Sequence, residues 1–155
     1  MILVTLGTQS QKFYRLLEAV DNLNTTEEII AQAGGSADYK SAKIKIFDFI
    51  NYDKMNEYIA KANLIITHGG TGSIIMPLQH GKKVIAAPRL AKYNEHMNDH
   101  QTEITHVFKE EGYILEYNDD DDLQKLYEQS KNFKPKKYVS NTQNFIKKLK
   151  EAIDS

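Results

Sequence analysis

Short apolar runs alternate along the chain with longer stretches in which apolar residues recur every three or four positions. Ile2 to Leu6 is apolar nearly throughout and closed by Gly7, the pattern of a strand buried on both faces. Phe13, Leu16, Leu17, Val20 and Leu23 then follow helical spacing with one buried face. Glu28 to Ala33 reads as a second strand, stopped by Gly34-Gly35, and Ile44, Ile46 and Phe47 mark a third ending near Ile50. Asp53 is the expected N-cap of a helix reaching Ala62, with Met55, Tyr58 and Ile59 inward. Leu64 to Thr67 is a fourth strand, and beyond the glycines that break it a helix runs to about His80, where Gly81 stops it. Lys83 to Ala87 is a fifth strand, ended by Pro88. A helix is expected over Glu95 to Glu111, stopped by Gly112, and a sixth strand over Tyr113 to Tyr117. Asp119 to Asp122 opens a further helix, where acidic side chains suit the positive end of the dipole. A last amphipathic helix is expected from Asn141 to Ile153, with Phe145, Ile146, Leu149 and Ile153 facing inward.

Strand–helix alternation with continuously apolar strands predicts an α/β fold: a Rossmann-like, mostly parallel sheet with helices on both faces. The 155 residues suit one such domain over 1–155 and are too few for two ordinary ones. With 20 Lys plus Arg against 21 Asp plus Glu, the net charge of -1 argues against a nucleic-acid partner. The absence of cysteine removes disulfides, thiolate metal sites and cysteine nucleophiles. No apolar run approaches the roughly 20 residues of a membrane span, and the N-terminus lacks the marks of a signal peptide, so a cytoplasmic location is expected.

In parallel α/β sheets, ligands bind outside the carboxyl ends of the strands, where strand order reverses. The loops after strands one, four and five therefore matter most. Gly7-Thr8-Gln9 either lets backbone approach an anion at the following helix start or needs its glycine only for a tight turn. Thr67-His68-Gly69-Gly70-Thr71-Gly72-Ser73 places three glycines and the hydroxyls of Thr71 and Ser73 at a helix N-terminus, a cluster of backbone donors suited to a phosphate or pyrophosphate. It lacks the Gly-Lys-Ser/Thr of a P-loop, and the dinucleotide fingerprint is absent; a purely structural glycine turn is the alternative. Pro88 to Gln101 crowds polar side chains into one loop, able to bind a sugar or ribose or simply to cap a helix. His96 and His100 would share a helix face at a spacing that zinc sites use, but no third ligand accompanies them and no metal is expected. Asp119 to Asp122 reads as a solvated helix start. The lysine-rich stretch from Lys131 to Lys150, free of acids, is either a solvated face or a surface for anionic lipid.

Val4-Thr5-Leu6-Gly7-Thr8, Thr67 to Ser73 and Asn98-Asp99-His100-Gln101, in that order, resemble the C-terminal, donor-binding domain of family 28 glycosyltransferases. The resemblance covers about residues 1–117; residues 118–155 form a helical tail without diagnostic motifs. As a short chain it is similar to the soluble subunits of split transferases. Among these are the eukaryotic enzyme adding the second N-acetylglucosamine to dolichol and the bacterial capsule and exopolysaccharide pairs. The resemblance implies half of a GT-B architecture. It implies a catalytic subunit that takes a hexose or N-acetylhexosamine from a UDP-sugar to a polyprenyl-linked saccharide, presented by a membrane-anchored subunit at the inner face of the plasma membrane. Gly7 and Thr8 would border the phosphates, and Gly69, Gly70, Thr71, Gly72 and Ser73 would hold the diphosphate. Asn94, Glu95, His100 and Gln101 would contact the donor sugar. No cofactor is implied. The general base is expected from the partner, with His68 the alternative within this chain. One departure stands out: related transferases place a glutamate for the ribose hydroxyls five residues before the glycine that ends the helix, and here that position is Met76. The competing expectation is a non-catalytic nucleotide-sugar-binding module that regulates a complex; a small hydrolase of nucleotide sugars is a third.

Overall fold

Six strands form where the apolar runs predict them. In the computed structural model, which describes residues 1–139 and 143–154, they pair into one sheet with every described pairing parallel. In chain order the elements are β1 (Ile2–Thr5), α1 (Tyr14–Asp21), β2 (Ile29–Gln32), β3 (Ile44–Phe47), α2 (Tyr52–Lys61), β4 (Leu64–His68) and α3 (Thr71–Gln79). There follow β5 (Val84–Ala87), α4 (His100–Glu110), β6 (Leu115–Glu116), α5 (Leu123–Ser130) and α6 (Gln143–Asp154). The strand order β3-β2-β1-β4-β5-β6 puts the reversal between β1 and β4, where Ile2 lies opposite both Ile29 and Leu64. The loops leaving these two strands diverge to opposite faces and leave a crevice above the sheet.

The period-2 alternation of β1 explains the layers. Ile2 and Val4 face Leu16, Leu17 and Val20 of α1 and Leu123 and Tyr127 of α5. Leu3 faces the other way, with Ile59 of α2, Ile74 and Leu78 of α3, and Ile104 and Phe108 of α4. Burying each such side chain contributes about 1.5–3 kcal/mol, so both faces of the central strand are fixed by packing and a one-residue slip in register is excluded. Phe145 of α6 stands edge-on to Phe108 at 5.1 Å and to Tyr113 at 5.2 Å, which docks the last helix on α4.

Several boundaries differ from expectation, each for a local reason. The N-cap of α2 is Asn51, whose Oδ1 accepts from Lys54 N at 2.8 Å, and Asp53 falls in the first turn. The third strand stops at Phe47, after Ala33 N and Gly34 N donate to Phe47 O and Asp48 O. The acidic run opens α5 through its last member, Asp122, which caps the helix by accepting from Gln124 N, while Asp119 turns away to Tyr93 and Lys92. The helix expected from Glu95 begins at His100. A single turn of 3-10 helix (Ala91–Tyr93) ends in Asn94 at a left-handed φ of 58°, and Glu95 points inward. His96 thus lies before the helix and shares no helix face with His100. The expected start of the last helix at Asn141 lies outside the described residues, and Ile153 is exposed rather than inward.

Candidate functional site

The crevice is built from the ends of β1 and β4, and a buried glutamine braces each loop. After β1, Gly7 takes a φ of 75°, open to glycine at little cost. Its N–H donates to Gln32 Oε1 at 3.2 Å, and its carbonyl accepts from Gln32 Nε2 at 2.9 Å. The same amide nitrogen donates to Asp48 O, so Gln32 ties the first loop to the end of β3. Beneath, Thr5 donates to Thr67 at 2.8 Å and joins the two strand ends. Thr8 is exposed at the mouth.

After β4, His68 enters the space between the loops. A Cβ on Gly7 would lie 2.6 Å from its Nε2, and one on Gly70 2.5 Å from its Cε1. Both glycines therefore make room for an imidazole, and no smaller change than glycine to alanine is needed to disturb it. Gly69 N donates to Gln101 Oε1 at 3.0 Å. Helix α3 then starts at Thr71 with Gly70 as its N-cap, and no side chain caps it among the described residues. Its first internal bond runs from Ile74 N to Gly70 O. The amides of Thr71, Gly72 and Ser73 precede that bond, so they point out of the helix end along its positive dipole. A Cβ on Gly72 would meet nothing within 4 Å, which marks the open mouth.

His68 is buried, and desolvation, with Arg89 nearby, pushes its pKa down to about 3. Its Nε2 lies 3.0 Å from Ser73 Oγ and its Nδ1 3.2 Å from Gln101 Nε2. Both ring nitrogens are thus engaged within the chain, and neither is presented to an acceptor hydroxyl, so this geometry does not suit the general-base role. Arg89, absent from the expected site, is fully buried. Its guanidinium donates to Leu6 O at 2.8 Å, Gln11 O at 3.0 Å and Glu95 O at 2.9 Å, over the face of Phe13. Burial lowers its pKa to about 10, which leaves it cationic at neutral pH and fixes a positive charge beneath the first loop. The sequence signal was a lone cation directly after an apolar strand and a proline.

Of the residues expected on the sugar, two turn inward. Glu95 is buried and holds Arg15 in a two-point pair, Nε to Oε2 and Nη2 to Oε1, both at 3.0 Å, while Oε1 also accepts from Leu90 N. Its carboxylate serves to bind α1 to the loop after β5 and is not open to a ligand. Gln101 is buried too, with Oε1 accepting from both Gly69 N and Arg89 N at 3.0 Å. Asn94 is exposed and His100, the first residue of α4, half-buried. Met76 lines a small cavity of about 60 Å³ with Thr5, Gln32, Met55, Ile59 and Ser73. The position where relatives are expected to carry a carboxylate is here part of an apolar wall.

The model of the glycosyltransferase family 28 C-terminal domain matches residues 1–155. A UDP-N-acetylglucosamine transferase subunit ALG13 of Candida albicans is 35% identical over 79 residues, 51% of this chain and 26% of that protein. The human protein of the same name is 32% identical over 125 residues, 74% of this chain and 11% of its own length. This chain thus spans about a quarter and about a tenth of these two relatives. Among solved structures, the solution structure of ALG13 superposes with a TM-score of 0.62 at 20% identity, covering 99% of this chain and 96% of that one. The crystal structure of MurG from Acinetobacter baumannii superposes at 0.53 with 18% identity, covering 81% of this chain and 40% of that one. The whole-length family match and the open α3 terminus beside Gly7 meet in one conclusion: the chain belongs to glycosyltransferase family 28, as its C-terminal domain.

Proposed function

We propose that the chain is the donor-binding half of a two-part glycosyltransferase. The observation that carries this is the uncapped N-terminus of α3, open at the point of strand-order reversal. A diphosphate set there meets the amides of Thr71, Gly72 and Ser73, with Gly7 and Thr8 at its border and Gly69 and Gly70 shaping the loop. Each charge-assisted bond contributes about 1.5–3 kcal/mol, and the helix dipole adds up to about 2 kcal/mol. The donor is a UDP-hexose or UDP-N-acetylhexosamine, the latter favoured because the relatives are named for UDP-N-acetylglucosamine. Asn94 and His100, whose side chains have no hydrogen-bonding partner among the described residues, stand at the rim for the sugar. In the transfer, the acceptor oxygen bonds to the anomeric carbon as the bond to the diphosphate breaks. Negative charge then builds on the departing UDP, where preorganised N–H groups and the buried Arg89 cation stabilise it.

The acceptor hydroxyl loses its proton to a base supplied by a partner. The partner is a membrane-anchored subunit presenting a polyprenyl-linked saccharide at the cytoplasmic face, and the setting is assembly of a capsule or exopolysaccharide on its lipid carrier. Among the described residues no helix is long and apolar enough to cross a membrane, which fits recruitment by such a subunit. The test combines the chain, radiolabelled UDP-N-acetylglucosamine and a lipid-linked acceptor, with and without a membrane-anchored candidate subunit. Transfer by the pair alone is expected. Transfer by the lone chain would remove the two-part arrangement, and UDP binding without transfer by any pair would favour the regulatory module.

A further inference from the structure

The crevice contains a hydrogen-bond chain whose proton positions follow from its ends. Gln101 Oε1 sits 3.0 Å from two backbone donors, Gly69 N and Arg89 N. An amide NH2 has no lone pair for them, so the oxygen must face this side and the nitrogen must face His68. Gln101 Nε2 lies 3.2 Å from His68 Nδ1 and can only donate, so Nδ1 must be bare. The ring is neutral in its buried setting and carries one proton, which therefore sits on Nε2. Nε2 is 3.0 Å from Ser73 Oγ and donates to it. The hydroxyl of Ser73 then acts as acceptor toward the histidine, and its own proton is free to point elsewhere. Ser73 is the third residue of α3, half-buried at the rim where the free amides emerge.

We propose that Gln101 is a positioning residue that locks His68 as its Nε2–H tautomer and so commits the Ser73 O–H to a ligand oxygen. In the opposite tautomer, Nδ1–H would face the Gln101 NH2, donor against donor, and bare Nε2 would take the Ser73 proton from the ligand. The glycines on either side of the ring hold it in place while the glutamine sets its proton. Gln101 thus acts through His68 and Ser73 without touching the donor. The ligand assignment rests on the diphosphate reading above; the tautomer lock stands independently of it.

Ring-nitrogen NMR on the 15N-labelled chain reads the tautomer directly, since protonated and bare nitrogens resonate far apart. The unsubstituted chain is expected to show protonated Nε2 and bare Nδ1 for His68. Gln101→Glu keeps both backbone bonds, because a carboxylate accepts as the amide oxygen did, but it places an acceptor opposite Nδ1. The proton should move to Nδ1, and UDP affinity should fall about tenfold. Ser73→Ala should cause a similar loss, and adding it to Gln101→Glu should cost little more. Bare Nε2 in the unsubstituted chain would overturn the lock. A tautomer switch in Gln101→Glu with UDP affinity unchanged would overturn the donation by Ser73. If the unsubstituted chain bound no UDP, the diphosphate reading would fall and the Ser73 donation with it, while the ring shifts alone would still decide the lock.

Discussion

Helices α2 and α3 both leave the carboxyl edge of the sheet, yet their N-termini are finished differently. Asn51 caps α2 with its own side chain, and Asp53 adds a negative charge to the first turn. Helix α3 begins on Gly70, which has no side chain to offer, and the charge felt by the adjacent His68 is that of the buried, positive Arg89. Asn51 satisfies the end of α2 from within the chain; α1 and α4 also lack a side-chain cap, so what sets α3 apart is a glycine start at the point of strand-order reversal. A helix end left open there, near a buried cation and between two loops that glutamines hold rigid, is prepared for something the chain does not supply. The loop before α4 falls on the closed side of this contrast, because Glu95 spends its carboxylate on Arg15 and Leu90.

Among single substitutions, the largest expected effect probes that closed side. Glu95→Ala leaves Arg15 without its buried partner and should lower unfolding stability by about 3 kcal/mol. Measured well below the unfolding transition, its preference among UDP-sugars should be unchanged; a lost preference would return Glu95 to the sugar site. Gly70→Val comes next. Its side chain would meet the His68 ring, so about 2 kcal/mol of stability should go together with most UDP affinity. Retained UDP binding in a folded variant would break the contrast at its open end.

Acid provides a third test, because only the open site buries a histidine beneath its loops. The folded pKa of His68 is about 3 against an ordinary 6.5, so between these values the unfolded chain binds the extra proton. The stability that neutral His68 permits is complete above pH 6.5 and declines as the pH falls toward 3, by about 1.4 kcal/mol for each unit. Urea titrations at successive pH values should show this slope, and His68→Gln should flatten it. Smallest is Asn51→Ala, which should cost about 1 kcal/mol and leave UDP affinity untouched. An affinity loss there would show that the two helix ends are not separable.

The layers and the crevice were legible because they rest on repetition. Apolar runs such as Ile2 to Leu6 and Leu64 to Ile66 read as buried strands, and the glycines at 69, 70 and 72 mark the loop that opens the following helix. What escaped rests on single polar residues whose direction no pattern reveals. Gln32 closes a buried strand and reads as its edge, yet it staples Gly7 to β3. Glu95 looks like the first turn of a helix until the left-handed Asn94 rotates it onto Arg15. Gln101 sits in the motif expected to reach a sugar, but its position under Gly69 makes it a brace. The glycines also carried a meaning that spacing could not show: Gly7 and Gly70 yield space to His68, Gly69 packs against Gln101 and Thr105, and Gly72 faces open space.

The central claim is that the amide hydrogens at the start of α3 grip a diphosphate. Titrating the 15N-labelled chain with UDP and following backbone amides tests it most directly. The largest shifts should fall on Thr71, Gly72 and Ser73, with Gly7 and Thr8 following and Lys54 of α2 unmoved. Saturable binding that leaves the three α3 amides in place while others shift would contradict it.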